Sequence, residues 1–155
     1  MDETGSRTFA WSRQLADVHA TLRARLRDLR DGSGDDGDLL THCLGFCSAL
    51  TIHHEGEDGG LFAELVRARP DLAATVAALR EDHRLIADIV GAVRDLAAES
   101  AEATADRRAA IRRELDGLAA IMESHFRYEE RAIGAALGDG VEDTGWSRPV
   151  FGLRR

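Results

Sequence analysis

Proline occurs only twice in 155 residues, and cysteine only twice. Scarce proline leaves long helices free to run without a break. Two cysteines are too few for a disulfide-stapled scaffold, and in a chain read as leaderless they imply a reducing compartment. The opening residues MDETGSRTFAW carry neither a basic n-region nor an apolar h-region, so no secretory signal is read. No apolar run approaches the roughly 18–20 residues of a membrane span. The expectation is therefore a cytoplasmic protein with no membrane partner. Basic charge is also lacking: 20 Lys+Arg face 28 Asp+Glu, a formal charge of −8. Without a basic stripe, no nucleic-acid partner is expected. Strand signals are missing as well. What remains is 44% hydrophobic and 31% charged residues, a composition that suits one folded domain with a real core.

Apolar residues recur at three- and four-residue spacing along four segments. The first spans about 8–29, with a stripe of Leu15, Val18, Leu22, Leu26 and Leu29. The run Asp31–Gly37 ends it through glycine entropy and Asp/Ser turn chemistry. The second spans about 38–67 on Leu39, Cys43, Phe46, Leu50, His53, Glu57 and Leu61. Gly56, Gly59 and Gly60 are costly inside it and point to a bend or a close backbone approach. The third starts at Pro70, a residue favoured at a first helical position, on Leu72, Val76, Leu79, His83, Ile86, Val90 and Val93. A turn is expected at Glu99–Thr104, with Thr104 as the helix cap. The fourth runs to about Leu137 on Ile111, Leu115, Leu118, Met122, His125, Glu129, Ala132 and Ala136. The predicted fold is all-α, an up-down-up-down antiparallel four-helix bundle. The bundle takes residues 1–138. The tail, 139–155, has no helical period and is read as packing through Trp146 and Phe151 or as partly disordered.

Chemistry concentrates in the histidines. His19, His53, His83 and His125 fall once per helix, on or beside the apolar stripe. Glu57 and Glu129 each follow a histidine by four residues, so the two side chains project together. Measured from the turn centres, the four histidines differ in level by at most four residues, about 6 Å along a helix axis. Each half of the chain thus reads H…HxxxE. Bare carboxylates in an apolar core would cost several kcal/mol or take up protons. Cations remove that cost. The pattern predicts a pseudo-twofold centre with two metals, two histidines for each, and two carboxylates available as bridges. Ligation by histidine and carboxylate without thiolate suits iron or manganese. The frame His54/Asp58 has the same spacing, but its helix-4 counterpart would begin at Phe126. The His53/Glu57 frame is therefore preferred, with His54 and Asp58 left as outer hydrogen-bonding or surface positions.

His19, the stretch His53–Phe62, Glu81–His83 and HFRYEE at His125–Glu130 together resemble the hemerythrin-like (HHE cation-binding) family over about Leu15–Leu137. The resemblance implies a non-haem di-iron centre bridged by carboxylates and an oxo or hydroxo group. His19, His53, His83 and His125 would be terminal ligands, and Glu57 and Glu129 bridges. Oxygen carriers of the family look to have HxxxH on the third helix, whereas here Ala87 follows His83 by four residues. Both metals would then keep two histidines and open positions. That favours reaction with dioxygen or peroxide, as a di-iron oxidoreductase of peroxidase, catalase-like or oxygenase type. The alternative is reversible binding of dioxygen, nitric oxide or iron without turnover.

Other residues are read more plainly. Cys43 and Cys47, one turn apart, are core residues rather than a disulfide. Trp11 and Trp146 are read as capping the bundle ends. Tyr128 is read as boundary packing. Arg23, Arg25, Arg27 and Arg30 are read as a solvated face interleaved with Asp17, Asp28 and Asp31.

Overall fold

The computed structural model describes residues 3–31, 36–98, 105–138 and 141–152. Among these it is helical, with no strand. The breaker residues 32–35 and the turn at 99–104, Thr104 included, lie outside the described residues. Helix α1 covers Glu3–Asp31 and α2 covers Asp36–Gly56. A π-helical turn, Glu57–Leu61, joins α2 to α3 at Phe62–Ala68 without leaving the helical path. A short 3-10 turn at Pro70–Leu72 leads into α4, Ala73–Ala98. Helix α5 covers Ala105–Ile133, and α6 is a single short helix, Ser147–Phe151. Helix α5 packs on α1 and α4, and α2 packs on α1 and α4, so the four long segments enclose a common interior.

The stripes explain this packing. Val76, Leu79, His83, Ile86, Val90 and Val93 of α4 are all buried, at helical spacing. The interior splits into two apolar clusters. One includes Leu22, Leu50, Ile86, Leu118 and Phe126. The other includes Leu15, Phe62, Leu79, Ile133 and Trp146. Between them lies the level of the histidines. Cys43 and Cys47 are free and buried in the first cluster. Burial pushes the Cys43 thiol up to about 11, which makes it a weak nucleophile.

Helix α5 stops at Ile133, four residues before the predicted end, and the chain turns at Gly134, whose N–H donates to the Glu130 carbonyl. Residues 141–152 of the tail contain a helical turn that their composition does not announce. Gly145 takes φ 110°, a left-handed value that suits glycine, just before that turn. The Asp143 carboxylate accepts from the N–H groups of Gly145 and Ser147. Trp146 and Val150 are buried, and the Trp146 indole meets Trp11 edge to face at 5.0 Å. Two of the three glycines of the second segment, Gly56 and Gly60, have their reason here. A Cβ on Gly60 would lie 2.5 Å from Cβ of Trp146, and one on Gly56 would lie 2.9 Å from Pro149.

Two glycine substitutions one residue apart should therefore differ in sign. Gly60→Ala forces Trp146 away and should lower stability by about 1–3 kcal/mol. Gly59→Ala meets nothing within 4 Å and should raise it by about 0.5–1 kcal/mol. Urea midpoints of the two variants check this; equal midpoints would refute the close approach.

Candidate metal centre

His19, His53, His54, Glu57, His83, His125 and Glu129 are all buried at one level of the interior. Helix α1 supplies the first, α2 the next two, the π turn Glu57, α4 His83, and α5 the last two. Each carboxylate lies between two helices. Glu57 Oε1 is 3.2 Å from His53 Nε2 and 3.5 Å from His83 Nε2. Glu129 Oε2 is 3.2 Å from His125 Nε2 and 3.6 Å from His19 Nε2.

Donor atoms gather in two sets, each within 4.8 Å and able to hold an ion. One set is His19, His53 and Glu57; the other is His54, His83, His125 and Glu57. Glu129 belongs to neither but touches one histidine of each. His54 was expected outside this layer. Instead its ring stacks on His83 at 3.9 Å between centroids. One residue along a helix is a rotation of about 100°. His53 and His54 therefore face different neighbours, and Glu57 stands four residues from one and three from the other. The histidines divide two and three, not two and two. Ala87, at the position of the missing HxxxH partner, is exposed on α4. The structure places His42 at the surface as well.

Outer partners fix how the rings point. His53 Nδ1 donates to the Val150 carbonyl at 2.6 Å. His83 Nδ1 donates to Asp58 at 2.8 Å, and His125 Nδ1 donates to Asp82 at 3.0 Å. Glu130 Oε1 lies 3.5 Å from His19 Nδ1. With Nδ1 engaged outward, Nε2 is turned inward, which is the usual arrangement of metal-ligating histidines. The Arg80 guanidinium donates to the Asp58 carbonyl. Arg23 donates to Glu130 and Glu123 and lies 5.3 Å from the Phe126 ring centre, whose other neighbour is the stacked His19 ring at 3.9 Å. So Arg23 pairs across to α5, and Arg30 does likewise with Asp116. Arg23 is thus half-buried rather than part of a solvated face, while Arg30 is exposed as expected. Tyr128 packs against the second apolar cluster.

The donor set fits a pair of cations. Among the described residues, eight buried side-chain atoms have no hydrogen-bond partner. They are both ring nitrogens of His19, Nε2 of His53 and His54, and all four carboxylate oxygens of Glu57 and Glu129. Nε2 of His83 and His125 face each other at 3.1 Å. Two inward lone pairs can share one proton or turn to a metal. Burial works against a proton on His83, but Asp58 and Glu57 outweigh it and raise His83 to about 9. Burial lowers His125 and holds His54 well below its ordinary value. Burial drives His19 down to about 4, against the pull of Glu130. Burial also opposes charge on Glu57, yet His53 and His83 keep its carboxyl well below the usual range.

These shifts set the acid response of metal-free protein. His19, His54 and His125 are depressed, so the unfolded chain binds more protons once the pH falls below about 6.5. Their stabilisation is present above that value and is lost as pH falls. For His19 the loss ends near 4. His83 acts oppositely: its contribution is full below about 6.5 and is lost as pH rises to about 9. Three groups outweigh one, so the urea midpoint of metal-free protein should drop between pH 7 and pH 4. A flat or rising midpoint over that range would contradict the arrangement.

Comparison with known proteins agrees with this geometry. The profile of the hemerythrin HHE cation-binding domain matches residues 12–137. No curated protein and no solved structure matches the chain. With the profile covering α1 through the end of α5, and the convergent histidines inside it, the chain belongs to the hemerythrin HHE cation-binding family.

Proposed function

We propose that the protein is a non-haem di-iron protein of the hemerythrin type that binds and reacts with dioxygen or peroxide. The observation that carries this reading is the buried layer of five imidazoles and two carboxylates, whose carboxylate oxygens and the Nε2 atoms of His19, His53 and His54 have no hydrogen-bond partner. His19 and His53 would hold one iron. His54, His83 and His125 would hold the other, with Glu57 and Glu129 between the two. Manganese is the other metal this donor set accommodates. Bound iron would supply a redox pair that exchanges electrons with a small oxygen species.

The chain's own groups support that chemistry in distinct ways. Asp58 and Asp82 accept from Nδ1 of His83 and His125 and keep their Nε2 directed inward, while Glu130 stands 3.5 Å from His19 Nδ1. Phe62 and Phe126 line the layer and are fully buried, which limits water around the imidazoles. Helices in up-down-up-down order would bring the four ligand-bearing segments to one level. No helix among the described residues is long and apolar enough to cross a membrane. That is compatible with the cytoplasmic location proposed here, with dioxygen, peroxide or nitric oxide as small ligands and no nucleic acid.

A second reading draws on His54. A third imidazole on one side leaves the two-histidine side as the more open of the two. One open position favours reversible binding of dioxygen or nitric oxide over turnover.

Protein purified without chelator and loaded with ferrous iron should contain two metals per chain. His54→Ala should lower that number, whereas His42→Ala should not. Fewer than one metal per chain in the parent protein, with unchanged stability after chelation, would sink the reading. Stopped-flow decay of peroxide should be at least tenfold slower in His125→Ala. Equal rates would exclude peroxide turnover, and a dioxygen spectrum that reverses on degassing would then establish the carrier reading.

A further inference from the structure

The profile match ends at residue 137, but the chain's contact with the histidine layer does not. Residues 141–152 return over α2 and place the Val150 carbonyl 2.6 Å from His53 Nδ1, in a fully buried position. Each of the other outer partners at this level is a carboxylate from within the matched domain, namely Asp58, Asp82 and Glu130. His53 alone is held by a backbone atom from outside it. We propose that this C-terminal segment is a positioning clamp for the two-histidine half of the metal centre, orienting His53 through the Val150 carbonyl and controlling how firmly that half holds its metal.

Three features make the clamp specific. Trp146 seats on bare Gly60 and Pro149 on bare Gly56, which bracket Glu57. The segment therefore grips the end of α2 and the π turn, on either side of the carboxylate shared by both donor sets. Its shape is fixed internally: Trp146 Nε1 donates to the Glu142 carbonyl, and Val150 N–H donates to the Trp146 carbonyl, so the indole and the Val150 carbonyl move together. A carbonyl can only accept, so it forces His53 to carry its proton on Nδ1 and leaves the Nε2 lone pair inward. On its other side the segment is not sealed. A cleft of about 590 Å³, lined by Gln14, Asp17, Val18 and Thr21 of α1 and by Arg148 and Phe151, opens between it and the helix that carries His19, beside the Trp11–Trp146 contact.

This inference rests on the two-metal reading above, and the test separates the two. Full-length protein, Trp146→Ala, Trp146→Phe and Pro149→Gly would each be loaded anaerobically with ferrous iron. Metal content and the rate of iron transfer to a ferrous chelator are then followed at a temperature where each is folded. In the parent protein both metals should leave slowly. In Trp146→Ala and Pro149→Gly, one metal of the two should leave about 10–100-fold faster, the usual effect of losing an outer partner, while the second keeps the parent rate. Trp146→Phe should restore slow release. If Trp146→Ala does not fold, Pro149→Gly carries the comparison. Unchanged release despite a lowered melting temperature, or equal acceleration of both metals, would overturn the clamp and leave the segment a structural cover. A parent protein that takes up no iron would instead overturn the metal reading itself.

Discussion

The structure depends on a polar layer closed inside an apolar interior. Eight buried atoms there lack partners. A buried polar group left unsatisfied costs about 1–3 kcal/mol, a large share of the net stability of a typical domain, about 5–15 kcal/mol. An interior of this kind is hard to keep unless something positive fills it. Cations at the level of Glu57 and Glu129 would answer the carboxylates and turn inward lone pairs from a cost into bonds.

The rest of the molecule is arranged around that layer. Two apolar clusters flank it, so the stripes supply burial above and below while the histidines interrupt them. The outward nitrogens of His83, His125 and His53 are then anchored by Asp58, Asp82 and the Val150 carbonyl, and Glu130 approaches that of His19. Arg23 ties Glu130 to Glu123 and covers Phe126, which extends the network to the surface of α5. The π turn at Glu57–Leu61 belongs to the same design. Gly60 within it and Gly56 just before it leave room for Trp146 and Pro149, and so bring the tail to His53. Local backbone irregularity, tail docking and ring orientation are one connected feature.

Much of this was legible beforehand. The stripes of α1, α4 and α5 follow a helical period because only one face of each meets the interior. The spacings His53/Glu57 and His125/Glu129 put an imidazole and a carboxylate side by side whatever the surroundings. Gly56 and Gly60 announced a close approach without naming what approaches. The outer partners were less visible. Asp58 and Asp82 reach histidines on other helices, and no spacing within one helix encodes a contact of that kind.

By itself, the sequence determined the helical segments, the level at which four histidines meet, and the cation-binding character of the centre. Those follow from periodicity and side-chain chemistry, which are local. Only the tertiary structure decided that His54 joins His83 and His125, because its side depends on how α2 is seated between α1 and α4. A rotation of about 100° separates it from His53, and one stripe cannot cover both. The same holds for Val150: a backbone carbonyl is present at every residue, and only the docking of the tail selects the one that holds His53.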